Sequence, residues 1–150
     1  MARGPGARLR LFDASALVNL MVTRGGSALE VAKGNDVLDL TLYEGGNALW
    51  KLSTLLGKIS TEDADSLLRV MARTAVHHMN LIRVSELDHL SIAGMARAER
   101  VTYYDAAYVT AARERDRELV TDDARLASVA SKFLRVVSST ELTKRPFGGL

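Results

Sequence analysis

Cysteine is absent from the 150 residues. Disulfides, thiolate nucleophiles and cysteine-rich zinc sites are therefore excluded. The three histidines, His77, His78 and His89, lack the spacing of a metal site. An excess of one sign of charge is nearly lacking too: 20 Lys and Arg face 18 Asp and Glu, for a formal net charge of +2. So slight a balance does not by itself announce a nucleic-acid partner. Long hydrophobic runs are also missing. The most apolar early stretch, Leu11 to Val22, is interrupted by Asp13 and Asn19 and is too short to span a bilayer. Met1 to Ala7 contains Gly and Pro and lacks the apolar region of a secretory signal. The expectation is a soluble, cytoplasmic protein that makes no contact with a membrane. There is no internal repeat and no low-complexity segment.

What is present suffices for a core. Apolar residues make up 47% of the chain, which fits one globular domain spanning 1–150. Segments 1–7 and 144–150 read as loose tails. Short apolar runs predict strands over 8–12, 36–40, 81–84, 118–121 and 134–137. Between them, 3.6-residue periodicity and capping residues predict helices over 13–23, 28–33, 42–56, from 60 onward, and over 86–98, 102–115 and 123–131. Strands alternating with helices argue for an α/β fold with a mostly parallel sheet of about five strands.

Four acids stand out against this frame: Asp13, Glu44, Asp105 and Asp123. Asp13, Glu44 and Asp123 each follow an apolar run. In an open α/β sheet, ligands bind outside the carboxyl ends of the strands. Carboxylates gathered there repel one another, and hard cations such as Mg²⁺ or Mn²⁺ relieve the repulsion. Each acid also has a purely structural reading. Asp13 suits a helix N-cap, Asp105 a capping box begun by Thr102, and Asp122 or Asp123 the cap of a short helix. Glu44 would sit in a first helical turn, where an acid is welcome. Taken together the acids ask for more. Glu44 lies beside the expected buried stripe Ala48, Leu49, Leu52, Leu55 and Leu56. Asp105 lies among Tyr104, Ala106 and Ala107. Unpaired carboxylates are costly in such places.

The chain resembles the PIN-domain ribonucleases, and closely the VapC toxins of toxin–antitoxin pairs. The likeness rests on four segments in order: the run from Leu11 to Val18, the run from Leu42 to Lys51, that from Tyr103 to Tyr108, and that from Leu119 to Leu126. It implies a three-layer α/β/α domain whose acidic quartet, Asp13, Glu44, Asp105 and Asp123, binds Mg²⁺ or Mn²⁺. Asp122 is the fallback for Asp123. Ser15, Asn47, Thr121 and Asp122 would orient the metal ligands or touch phosphate. The implied activity is metal-dependent hydrolysis of RNA phosphodiester bonds. A homodimer and a VapB-type antitoxin are the implied protein partners. Direct DNA binding is not expected of this chain. Gly45-Gly46, just after Glu44, departs from the pattern. The pair would either loosen the helix that aims Glu44 or admit a neighbouring helix closely. Two alternatives stay in view: a PIN-fold RNA-binding scaffold with weak chemistry, and a receiver-like signalling domain.

Overall fold

Each strand of the sheet is only two or three residues long, and every pairing is parallel. The computed structural model describes residues 8–144, so nearly all of the two expected tails lies outside the described residues. Strands β1 (Arg10–Phe12), β2 (Asp36–Leu38), β3 (Asn80–Ile82), β4 (Glu118–Val120) and β5 (Val136–Val137) pair in the order β3-β2-β1-β4-β5. The register sets Leu11 against Leu119 and Phe12 against Val120. Helices α1 (Ala14–Arg24), α2 (Ala28–Ala32), α3 (Leu40–Trp50), α4 (Thr61–His77), α5 (His89–Glu99), α6 (Tyr103–Glu114), α7 (Ala124–Ala130) and α8 (Ser139–Lys144) complete the chain.

Successive strand residues point to opposite faces, and the core divides accordingly. Phe12, Val37 and Val120 join Leu17, Leu20, Leu49 and Met71 on one face. Leu11, Leu38, Ile82 and Leu119 join Ile92, Tyr108 and Leu126 on the other. The result is the expected three-layer α/β/α arrangement. The strand order moves outward from β1 to β3 and then returns to the far side of β1 with β4. The reversal between β1 and β4 is a topological switch point, the usual place for a ligand crevice. Receiver-like domains run 2-1-3-4-5 instead, so the signalling alternative loses its topological basis.

Several boundaries differ from the sequence reading, each for a local reason. β2 stops at Leu38 because Asp39 caps α3, accepting from Leu40 N at 2.8 Å. Helix α3 therefore starts at Leu40, and Glu44 lies beyond its first turn rather than in it. The helix expected to reach Leu56 ends at Trp50 and continues as a π-helical turn over Lys51–Leu55. The expected buried stripe holds at Leu49, while Leu55 and Leu56 are exposed. A 3₁₀ turn over Val84–Glu86 delays α5 until Asp88 caps it through Leu90 N and Ser91 N. Residue 144, assigned to a tail, ends helix α8. That helix has a reciprocal capping box. Glu141 N donates to Ser138 Oγ at 3.1 Å, and Ser138 N donates to Glu141 Oε1 at 3.2 Å.

Gly45 shows which of its two expected roles applies. A β-carbon there would overlap the Met71 sulfur, crowd Met71 Cε at 2.9 Å and touch Val18 Cγ2 at 3.5 Å. The glycine thus lets α4 and α1 close on α3. Asp36, Arg117 and Glu118 meet at the opposite, amino edge of the sheet. Arg117 Nε donates to Asp36 Oδ2 at 2.8 Å, and Arg10 Nε to Glu118 Oε2 at 3.1 Å. Arg117 therefore closes an ion pair with the buried Asp36.

Candidate functional site

Asp13 is where the chain turns from β1 into α1. Its backbone N–H extends the ladder to Val120 O at 3.0 Å. Its side chain caps α1 by accepting from Ala16 N at 2.9 Å. It also accepts from Ser15 Oγ at 2.8 Å and from Thr121 Oγ1 across the switch point. The capping role and the site role therefore belong to the same carboxylate. Burial dominates its electrostatics. Only 4% of Asp13 is exposed, and desolvation lifts its carboxyl to a pKa of about 6 despite the bonds that favour the charged form.

The other three acids come from separate helices. Glu44, half-buried on α3, accepts from Tyr108 Oη at 2.7 Å, and Tyr108 Oη also pairs with Thr41 Oγ1 at 2.8 Å. Asp105 stands in the first turn of α6, whose cap Thr102 accepts from Asp105 N at 3.1 Å. Asp123 caps α7 by accepting from Arg125 N and Leu126 N at 2.9 and 3.1 Å. Desolvation raises the Glu44 carboxyl, and the charges of Asp105 and Asp123 add to it, against the bond from Tyr108. Desolvation likewise raises Asp105, with Asp123 adding and Arg125 opposing. Burial, and then the charge of Glu44, push the Tyr108 hydroxyl well above its ordinary value, so it donates as a neutral phenol. Glu44, Asp105 and Asp123 thus share one field. Asp13 joins them through Tyr108, which feels the charges of both Glu44 and Asp13.

Not every residue named from sequence joins this cluster. Asp122 turns the other way, accepting from Asn19 Nδ2 at 2.9 Å and from Ser139 N at 2.8 Å. It lines a cavity of about 540 Å³ with Thr23, Ser138 and Thr143, a cavity that Glu44 and Asp105 do not reach. The backbone N–H groups of Asp122 and Asp123 donate to Ser15 Oγ and Thr121 Oγ1, both at 3.0 Å. Ser15 and Thr121 therefore lock the β1 and β4 ends together. Asn47 is exposed on α3 and makes no side-chain hydrogen bond among the described residues. Asp105 is less enclosed than expected, because Tyr104 beside it is 56% exposed. Tyr108 was missed as a site residue. It lies three positions after Asp105, on the same side of α6, and that spacing was the available signal.

The donors are all hard oxygens, and none of the four acids makes an ion pair among the described residues. Such a set suits Mg²⁺ or Mn²⁺ by chemistry. Among the described residues, however, no three acids or histidines are already set around a single ion position. No helix among them is long and apolar enough to cross a membrane.

Fold and site together define an α/β/α domain of parallel strands with acids grouped at the carboxyl edge of its sheet. Among solved structures, the chain is similar to PAE2754 from Pyrobaculum aerophilum, with 27% identity and a TM-score of 0.71, over 91% of this chain and 96% of that one. That name states no activity, so the likeness bears on the fold. No protein-family model matches the chain, and no curated protein sequence matches it.

Proposed function

We propose that this protein is a metal-dependent endoribonuclease of the PIN type, acting as the VapC-like toxin of a toxin–antitoxin pair in the cytoplasm. One observation carries the reading: acids from β1, α3, α6 and the β4 end gather at the carboxyl edge, where Glu44, Asp105 and Asp123 feel one another's charge, and no ion pair reaches the four among the described residues. Buried or crowded carboxylates without a partner cost free energy, and a divalent cation would offset that cost. The four-segment resemblance supports the same reading and supplies the substrate class.

Asp13 and Asp105 would be direct ligands of Mg²⁺ or Mn²⁺, with Glu44 and Asp123 completing the set. When bound, the cation supplies an activated water and neutralises charge on the scissile phosphate. The residues of the chain do the positioning. Ser15, Thr121 and Ala16 N hold Asp13 in one rotamer. Tyr108 and Thr41 aim Glu44. In the reaction the water oxygen forms the new bond to phosphorus and the P–O3′ bond breaks, leaving a 3′-hydroxyl and a 5′-phosphate. A homodimer and a VapB-type antitoxin that blocks the crevice follow from the resemblance, with DNA recognition left to the antitoxin.

The spread of the acids favours a second reading, an RNA-binding scaffold of the same fold. Incubating labelled single-stranded and structured RNA with the protein in Mg²⁺, Mn²⁺ or EDTA, beside Asp13→Asn, separates the two. Cleavage that needs metal and vanishes in the variant is the expected result. Equal cleavage by Asp13→Asn would remove the assignment, and binding without cleavage would leave the scaffold.

A further inference from the structure

Tyr43 and Tyr104 immediately precede Glu44 and Asp105 in the chain. The two tyrosines are 82% and 56% exposed, unusual for large aromatic side chains next to a site. They form the lips of a cleft of about 260 Å³, whose walls are Leu40, Val84, Tyr103 and Ala107. Tyr103 is fixed, its hydroxyl paired with His89 Nδ1 at 2.9 Å. Tyr43 and Tyr104 make no side-chain hydrogen bond to another described residue, so their rings are free to close on a flat guest. The cleft is smaller than the roughly 300–1,000 Å³ of a drug-sized pocket, and suits one heterocycle.

A single carboxylate enters this apolar space. Asp39 lines the cleft, and its Oδ1 accepts from Leu40 N at 2.8 Å and from Val84 N at 3.0 Å. Both bonds fall on one oxygen. Oδ2 accepts no hydrogen bond among the described residues. An apolar slot with aromatic lips and one free acceptor matches an unpaired base that stacks by its face and donates through an amino group. A carboxylate accepts from the cytosine N4 amino group, whereas uracil presents an acceptor oxygen at the same position.

Resting on the nuclease reading for the adjoining acids, we propose that the Tyr43–Tyr104 cleft holds the base next to the scissile phosphate. Asp39 selects a base with an exocyclic amino group over uracil there. The occupant is single-stranded RNA, because a base in a duplex could not enter between the two rings.

The test is fluorescence anisotropy of labelled six-nucleotide oligo(rC) and oligo(rU) in Ca²⁺, with the RNA checked intact afterwards. Tyr43→Ala and Tyr104→Ala should each weaken oligo(rC) binding roughly 5- to 150-fold, the range for losing one base–aromatic stack. Tyr43→Phe and Tyr104→Phe should restore it. Asp39→Asn keeps an oxygen for Leu40 N and Val84 N, and should erase the preference for oligo(rC) over oligo(rU). Alanine variants that bind like wild type would overturn the cleft, as would a wild type that binds neither RNA. A wild-type dimer that the alanine variants convert to monomer with RNA affinity unchanged would assign the tyrosines to a second copy instead, also overturning it. Cleavage in Mg²⁺ separates the two readings. Cleavage with unaltered KM in the alanine variants removes the cleft and keeps the nuclease. Tyrosine-dependent binding without cleavage keeps the cleft and removes the nuclease.

Discussion

The two edges of the one sheet treat buried acids in opposite ways. At the amino edge, Asp36 is 1% exposed and Glu118 is 5% exposed, and each is matched by arginine. Asp36 accepts from Arg117 Nε and from Asn80 Nδ2, and Glu118 from Arg10 Nε, with Arg135 Nη1 at 3.6 Å. At the carboxyl edge, Asp13 is as deeply placed, but its donors are two hydroxyls and a backbone N–H. The same fold therefore ion-pairs the acids at its amino edge, whereas among the described residues no ion pair reaches the four at its carboxyl edge, Arg125 acting on Asp105 only from beyond contact. Under the function proposed above, the carboxyl edge is where a cation from outside the chain would offset the charge.

Removing a counter-charge from the amino edge should produce the largest loss of stability. Arg117→Ala would leave Asp36 buried with only Asn80 as a side-chain donor, at a cost of about 3–5 kcal/mol. Urea denaturation would read this, and a loss below about 1 kcal/mol would mean that the two edges are not so different. At the carboxyl edge the sign reverses. Asp13 titrates near 6 in the folded protein against 3.8 for an ordinary Asp. The folded state thus holds its proton longer than the unfolded state does. Stability from this group is fully present below about pH 4, and is lost as pH rises through about 6. The full loss is on the order of 3 kcal/mol. In EDTA, Asp13→Asn should therefore be more stable than wild type at pH 7.5, with the advantage gone at pH 4; thermal melts at the two values would show it.

Adding Mg²⁺ or Mn²⁺ at neutral pH should raise the melting point of wild type by the equivalent of about 2.7 kcal/mol at 100 times Kd. The same addition should do little for Asp13→Asn. Equal shifts in both proteins would place the ion elsewhere. The smallest effect belongs to Gly45→Ala, buried on α3 next to Glu44. The new methyl must displace the flexible end of Met71, an overpacking cost of about 1–3 kcal/mol. About 1 kcal/mol returns through helix propensity. A net loss of no more than about 2 kcal/mol in chemical denaturation is expected, with folding retained.

The carboxyl edge was more legible in the sequence than the amino edge. Apolar runs ending in Asp13 and Asp123 mark strand ends locally, because strand, cap and acid are neighbours in the chain. Asp36 and Arg117 lie 81 residues apart and carry no local sign of each other. The same holds for Tyr108 and Glu44, 64 apart. The exposure of Leu55 and Leu56 was hidden because helical periodicity does not reveal where α3 gives way to a π-helical turn. Helix α8 did have a signature, Ser138 followed three positions later by Glu141, but it is too short for periodicity to support it.

The bond between Asp13 and Thr121 spans 108 residues of sequence. A contact so distant in the chain is closed late, since the loop entropy between its ends must be overcome first. On the ribosome, α1 can form and be capped by Asp13 long before Thr121 has been synthesised. Thr121 reaches Asp13 only once β4 has slotted in beside β1. Whatever the acids do, a growing polypeptide cannot do it until β4 has been made and has paired with β1.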